Sequence, residues 1–353
     1  MSPARAGIDT VRPPVQPRDE RAVKVGTSLR FLFPAGPQTL AMYQAITAAL
    51  PPGAFTDRPM GSDDVDRQAR NLIDIARAAR AANLWGLLVG DNHAMPPQYA
   101  NVFQPVPTIA RLSAETGPML VGMILLAPFY HPLLLAEQIG TLSAFVDAPI
   151  VVTFASGGSV HAFERFGYRI GSRGTRSEEM IPVVRALLAG EVVTASGRSF
   201  EVAAGTISPV PRHPTEIWIA GTNDVTVERA GRLGDGWLTA QNATDAVLVE
   251  QLDLYRRTAA AHGRPCRAVL RRDVHVAETD AAARAHVEPI LEQGYRGVDH
   301  SRLLVGSPDT VISRLRHYES MGFDHVMVRH ITGEHEAMMR SFELPGDVVG
   351  AVA

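Results

Sequence analysis

The sequence predicts an α/β chain of the (β/α)8 TIM-barrel class, with a long insertion after the first strand and a small hairpin insertion before the fifth. Three observations carry this expectation. Short apolar runs alternate with amphipathic stretches along the 353 residues, the pattern of repeated βα units on a parallel sheet. Most of the runs are continuous in apolar residues rather than alternating, as strands buried on both faces require. The runs number eight, and each is followed by or joined to a helix-forming stretch. An open doubly wound sheet is the competing architecture. It would want G-x-G-x-x-G after an early strand, whereas the first run here leads into FLFPAGPQTL.

Taken in order, strands are expected at 28–33, 85–89, 119–125, 149–154, 216–220, 236–239, 269–276 and 324–328. Helices are expected at 67–82, 106–115, 132–145, 176–188, 223–233, 245–262, 281–293 and 308–321. Pro132 and Pro308 suit the first position of a helix, where no N–H is needed. Ser307 suits an N-cap, and Gly294 and Gly322 suit helix ends. Two connections are too long to be plain turns. The stretch 34–66 holds a helix-like segment at 38–50 and then PPGAFTDRPMGSDD. The stretch 191–213 reads as a hairpin turning at Ser196-Gly197. Long loops after barrel strands gather at the catalytic face and often act as lids. Residues 1–24 read as a flexible arm, 25–340 as the barrel and 341–353 as a loose tail.

Composition narrows the function. Lys and Arg total 34 against 37 Asp and Glu, a formal charge of −3. That balance argues against nucleic acid as a main partner, since phosphate binding needs clustered positive charge. The single cysteine, Cys266, excludes a disulfide framework and a cysteine metal cage; one free thiol fits a cytoplasmic protein. No apolar run reaches the ~18 residues of a membrane helix, and the first residues lack the apolar core of a signal peptide. A small molecule is the expected partner.

Chemistry is sought at strand ends. Strand two ends in Asp91-Asn92-His93, where Asn92 and His93 can face a ligand and His93 can shuttle a proton near neutral pH. The competing reading is a capped loop with a hydrogen-bonded histidine. Strand four carries Thr153 and ends in Ser156-Gly157-Gly158, small residues that let backbone approach a ligand closely. Strand five gives way to Gly221-Thr222-Asn223, which opens a helix whose free N–H groups favour a phosphate. An Asn N-cap that serves only the helix is the alternative, and Asp224 is expected to point outward. Strand eight ends in Arg329-His330, candidates for substrate contact, while Arg271, Arg272 and His275 on strand seven read as surface or salt-bridge residues. His325, His330 and His335 lack carboxylates at ligand spacing, and His325 and His330 fall on opposite faces of a strand, so no metal is expected. Ser172 and Ser177 lack a nucleophile elbow.

Four segments then stand out together. They are HPLLLAEQIGTL (131–142), the Phe166-Gly167 pair with Arg176 and Glu179 beyond it, EIWIAGTNDVTVERAGRLGDGWL (216–238) and LLVGSPDTVISRLRHYESMGFDHVMV (303–328). In this order they resemble the bacterial luciferase-like flavin-dependent monooxygenases, over roughly residues 25–335. The resemblance implies a (β/α)8 barrel that binds reduced FMN at its C-terminal mouth. It also implies oxygenation of a small organic substrate by O2 through a flavin C4a-peroxide. A separate flavin reductase would supply the reduced FMN as a transient partner, and a homodimer is the family's usual form. Gly221, Thr222 and Asn223 fall on the family's flavin-phosphate turn, Thr153 and Ser156–Gly158 on its strand-four flavin segment, and Met123 and Ile124 on the strand that backs the isoalloxazine ring. Asn92 and His93 fall where luciferases carry an acidic residue followed by two histidines.

The departures are specific. Asn92 replaces the first of those histidines, Ser156 stands where luciferases carry a phosphate-gripping arginine, and SAFVDAP (143–149) replaces D-x-x-S-x-G-R. Two alternatives stay open. One is a deazaflavin-coenzyme-dependent oxidoreductase of the same fold that transfers hydride, for which His93 would serve although no acidic partner stands after strand four. The other is a non-catalytic flavin-binding protein.

Overall fold

Runs rich in Val, Ile and Leu pack well on a pleated surface, and here they become strands buried on both faces. The computed structural model describes residues 23–29, 62–94 and 103–343. In chain order the first elements are β1 (Lys24–Leu29), α1 (Ser62–Ala81), β2 (Gly86–Gly90), α2 (Pro105–Thr116), β3 (Leu120–Leu126), α3 (Pro132–Phe145) and β4 (Ile150–Ala155). The middle of the chain forms α4 (Val160–Arg165), α5 (Arg173–Leu188), the hairpin β5 (Val193–Gly197) and β6 (Phe200–Gly205), β7 (Glu216–Ala220), α6 (Asp224–Leu233) and β8 (Gly236–Leu238). The last part forms α7 (Asp245–Ala261), β9 (Arg267–Val276), α8 (Asp280–Leu291), β10 (Leu304–Gly306), α9 (Pro308–Ser320), β11 (His325–His330) and α10 (His335–Glu343).

The strands pair in parallel in the circular order β1, β2, β3, β4, β7, β8, β9, β11, and β11 returns to β1. This is a closed eight-stranded (β/α)8 barrel. β10 lies outside the circle, paired with the end of β9 through Leu304 and Val274.

Helix ends follow local chemistry. Pro132 and Pro308 open α3 and α9. Ser307, Thr244, Thr279 and Asn223 cap α9, α7, α8 and α6, each side chain accepting the N–H three residues on. Gly294 and Gly322 follow α8 and α9 at φ +73° and +102°, conformations that favour glycine.

Four boundaries differ from the sequence expectation. β1 starts at Lys24 rather than at 28, because Val23, Val25 and Leu29 are the buried residues and Lys24 pairs with His325. Residues 30–61, with Phe33 and the expected helix at 38–50, lie outside the described residues, and the end of that insertion forms the first turn of α1. The hairpin turns at Arg198-Ser199, since Gly197 is still paired with Phe200 and a Cβ there would lie 2.6 Å from the Phe200 ring. The expected tail joins the fold as far as Glu343. Ser341 and Phe342 are buried, and Ser341 Oγ accepts from Val276 N at 3.1 Å.

Strand alternation sorts the core into two layers. Leu88, Leu120, Ile124, Val151, Trp218, Leu238, Val269 and Met327 fill the barrel interior. Val89, Met123, Val152, Phe154, Ile219, Leu270 and Val328 face outward under the helices. At the N-terminal end Trp85 stacks on Trp218 at 5.8 Å with His325 edge-on at 4.4 Å, and Arg267 pairs with Glu216 at 3.2 Å. This floor closes the barrel below and leaves the C-terminal end as its mouth.

Candidate active site

β2 runs out at Gly90, and the ladder continues for one residue as Asp91 N donates to Ile124 O at 2.9 Å. The Asp91 side chain is fully buried, with Oδ2 accepting from His93 Nε2 at 2.9 Å, Tyr130 Oη at 3.0 Å and Leu126 N at 3.1 Å. Its Oδ1 is buried with no hydrogen-bond partner. The carboxylate holds the proton of His93 on Nε2 and leaves Nδ1 as the basic nitrogen. Burial first, then the neighbouring Asp91 charge, pushes the Tyr130 phenol far above its ordinary range, so it stays a donor. Phe129, Tyr130 and Phe166 stand edge-on around the His93 ring at 5.2, 5.5 and 5.5 Å. These rings surround His93 with apolar surface on several sides, which lowers the local dielectric and strengthens its interaction with Asp91.

Asn92 has a different role from His93. Its Oδ1 accepts the His93 N–H at 3.0 Å, and Gln104 donates to its carbonyl at 3.3 Å. The Asn92 side chain thus shapes the loop that presents His93, in place of reaching toward a reacting atom.

β4 brings Thr153 to the inward face opposite Ile124 and Trp218, fully buried, with Oγ1 lacking a hydrogen-bond partner. Beyond it Gly157 adopts φ +72°, and a Cβ built at Gly158 meets nothing within 4 Å. Ser156 Oγ lies 3.4 Å from Ser177 Oγ, which itself donates to Arg173 O at 2.9 Å. Arg176 is buried nearby. Its Nε and Nη2 donate to Pro128 O at 3.2 and 2.7 Å, and its guanidinium covers the Tyr168 ring at 3.7 Å.

On β3, alternation separates the two expected ring-bed residues. Ile124 belongs to the barrel interior, whereas the Met123 side chain is fully buried in the outer layer beneath the helices. Met123 therefore turns away from the mouth, a correction that follows from the two-residue period of a strand.

At the end of β7, Asn223 Oδ1 accepts from both N and Oγ1 of Thr226 at 2.8 Å. Its side-chain oxygen is thus occupied as the α6 N-cap, while Asp224 is exposed, as expected. Gly221 is fixed by packing, since a Cβ there would lie 2.5 Å from Thr226 Cγ2. Thr222 is half-buried, and its carbonyl accepts from Gln251.

Arg272 lies 4.0 Å from Asp245, within its expected salt-bridge role, whereas Arg329, a candidate for substrate contact, is committed to Asp273. Arg272 and His275 are buried, and so is Arg329. Arg272 faces outward and donates to Tyr318 Oη at 3.0 Å and to Ala243 O at 3.1 Å. Arg329 makes a two-pronged pair with Asp273 at 2.7 and 2.7 Å. His330 packs outward against Phe342 at 4.4 Å. Among the described residues no group of three or more His, Cys, Asp or Glu could hold a metal ion, and no helix is long and apolar enough to cross a membrane.

Sequence reasoning missed Asp91 as the partner of His93, and Tyr130 as the partner of Asp91. The first was signalled by an acid two residues before a histidine at a strand end. The second had no sequence signal, because 39 residues separate the pair. The residues suit a flavin. The unsatisfied Thr153 Oγ1 and the apolar Ile124 beside it are residues that would hold a flavin ring. The open side of Gly158 and the start of α6 offer space and N–H donors to a phosphate.

The fold is shared with known proteins. An F420-dependent glucose-6-phosphate dehydrogenase of Beutenbergia cavernae is 28% identical over 189 residues, 52% of this chain and 56% of that protein. The chain thus matches little more than half the length of that curated relative. Monooxygenase RslO1 from Streptomyces bottropensis shares the fold at a TM-score of 0.73 and 19% identity, over 93% of this chain and 99% of that one. The oxygenating constituent of 3,6-diketocamphane monooxygenase from Pseudomonas putida, solved in complex with FMN, shares it at 0.72 and 16% identity, over 94% and 98%. The model of the luciferase-like monooxygenases matches residues 52–302, and the chain belongs to that family.

Proposed function

We propose that this chain is a flavin-dependent monooxygenase that uses reduced FMN, delivered by a separate reductase, and O2 to oxygenate a small organic substrate. The observation that carries the reading is the Asp91–His93–Tyr130 relay, built on the buried Asp91 carboxylate and ringed by aromatic side chains at the end of β2. Reduced FMN, when bound, supplies the two electrons that activate O2; one oxygen atom enters the substrate and the other leaves as water. His93 accepts or returns a proton at Nδ1, and the Asp91 carboxylate stabilises the imidazolium that forms. Tyr130, held protonated, fixes Asp91. Phe129 and Phe166 flank the His93 ring with apolar surface. Ile124 and Thr153 would bed the ring, and Gly157, Gly158 and the Thr222 turn would receive the phosphate.

A second reading rests on the same relay. The carboxylate beside the histidine, which the sequence lacked after strand four, is Asp91, and hydride transfer with a deazaflavin coenzyme would use the same dyad. The F420-dependent relative supports keeping it.

An anaerobic titration of reduced FMN against reduced deazaflavin coenzyme, run side by side on the full chain, decides between them. Tight FMN binding with weak deazaflavin binding is expected. The reverse moves the assignment to hydride transfer, and binding of neither overturns both.

A further inference from the structure

The inward positions of β9 and β11 place charge inside the barrel, on the wall that faces β3. Round the circle β9 stands four strands from β3 in either direction, so the two face each other across the lumen. Asp273 on β9 lies level with Arg329 on β11, and Arg271 lies level with Met327, a residue of the barrel interior. Asp273 is committed: Arg329 grips both of its oxygens at 2.7 Å, and Tyr295 Oη donates to Oδ2 at 3.1 Å. Arg271 is left over. Its backbone N–H donates to Thr239 Oγ1 at 3.0 Å, but its Nε is buried without a hydrogen-bond partner, and among the described residues it forms no ion pair.

Arg271 is partly exposed, but its Nε is out of water, and that loss of hydration opposes folding. Removing an ion from water costs several kcal/mol unless a counter-charge replaces the lost hydration. The cost is visible in the group itself: burial first, then the Arg329 charge, pulls the Arg271 guanidinium down to about 9 from 12.5, with Asp273 only partly offsetting them. The Arg329–Asp273 pair is complete without it, so the packing of this wall does not call for a further cation. Such violations of the burial rule are expected where a ligand completes the site. A planar guanidinium with an unused edge matches two oxygens of an oxyanion in a two-pronged geometry.

We propose that Arg271 anchors an anionic group of the organic substrate, a carboxylate, sulfonate or phosphate, on the β9 side of the mouth. This rests on the reading of the mouth as a flavin site and adds the substrate class to it. A cofactor phosphate has the same chemistry, but the turns that would receive it follow β4 and β7, three and two strands away round the barrel. On that geometry the anionic end of the substrate lies against β9, and the group to be oxygenated points across the lumen toward His93.

The test uses the full chain without cofactor and inorganic sulfate as probe. Sulfate is titrated against sodium chloride at equal ionic strength and binding is read by calorimetry. Reduced FMN binding is measured on the same proteins. Saturable sulfate binding is expected in the wild type, weakened at least tenfold in Arg271→Gln and several-fold in Arg271→Lys, with FMN affinity unchanged within twofold. Absence of saturable sulfate binding in the wild type, or equal sulfate affinity in both variants, overturns the proposal. So does a parallel loss of FMN affinity, which would make Arg271 a ligand of the cofactor phosphate. Should Arg271→Gln fail to fold, the wild-type and Arg271→Lys titrations decide alone. Sulfate binding that depends on Arg271 without any flavin binding would leave the anchor standing and remove the flavin reading; FMN binding with sulfate affinity indifferent to Arg271 would do the opposite.

Discussion

At the scale of single residues, the central unit is a histidine whose tautomer is set by a buried carboxylate. Asp91→Asn would keep the shape but present an amide to His93 Nε2, which permits the other tautomer and removes the counter-charge of the imidazolium. Turnover is expected to fall about 10²- to 10⁴-fold, the range for a lost general acid–base group, while reduced FMN affinity changes little. His93→Ala is expected to do the same. Steady-state kcat and the anaerobic FMN dissociation constant, measured on both variants, check this. An equal loss in kcat and in flavin affinity would make the pair a structural element of the loop. The relay was half legible: His93 stands two residues after its acid partner, but the choice between a capped loop and a dyad depended on where the Asp91 side chain points. Asn92 beside them is committed to the His93 N–H, a distinction that residue type could not supply.

At the scale of elements, the start of α6 separates two roles that sequence reasoning had joined. Asn223 is an N-cap by geometry, and Thr222 stands just outside the helix. Asn223→Ala is expected to lower stability by about 1 kcal/mol through loss of the cap. Thr222→Ala is expected to leave stability within about 0.5 kcal/mol, as for a substitution away from core and caps. It is expected to weaken FMN binding about tenfold, through loss of a hydroxyl that donates to a charged phosphate. Denaturant midpoints and FMN titrations on the two single variants check the split. FMN affinity unchanged in Thr222→Ala would move the phosphate away from this turn. Helix boundaries were most accurate where caps, prolines and terminal glycines act locally, as at Pro132, Ser307 and Pro308. β10 and α4 escaped notice because elements of three and six residues are too short to show a period.

At the scale of the whole molecule, acid sensitivity follows from a histidine buried where the last strands meet the helices. Burial first, then the charges of His286 and Arg340, holds His275 down to about 4. His286 stacks on it at 4.6 Å. The unfolded chain would take up that proton near 6.5, the folded chain only near 4. Stability is therefore full above pH 6.5 and falls as the pH drops from 6.5 toward 4, where the unfolded state binds more protons. His161, lowered in the same sense chiefly by burial, adds to the slope. His275→Gln is expected to flatten the decline between pH 6.5 and 4.5, read as the urea midpoint at several pH values. A slope identical to that of the wild type would remove His275 as its source.

What the sequence determined by itself was whatever acts within a few residues. The alternation of apolar runs with amphipathic stretches set the order of strands and helices, because burial on both faces of a parallel strand and on one face of a helix leave different periods. Caps and prolines set helix ends for the same local reason. Only the tertiary structure decided which strand face points into the barrel, and a shift of one residue exchanges the faces. That is why Ile124 lines the lumen and Met123 does not. It also decided the pairings across the barrel. Tyr130 reaches Asp91, Arg329 takes both oxygens of Asp273, and the buried Nε of Arg271 is left without a hydrogen-bond partner. Closing a sheet brings together residues 56 positions apart on β9 and β11, and no local pattern records which of several buried charges will be satisfied there.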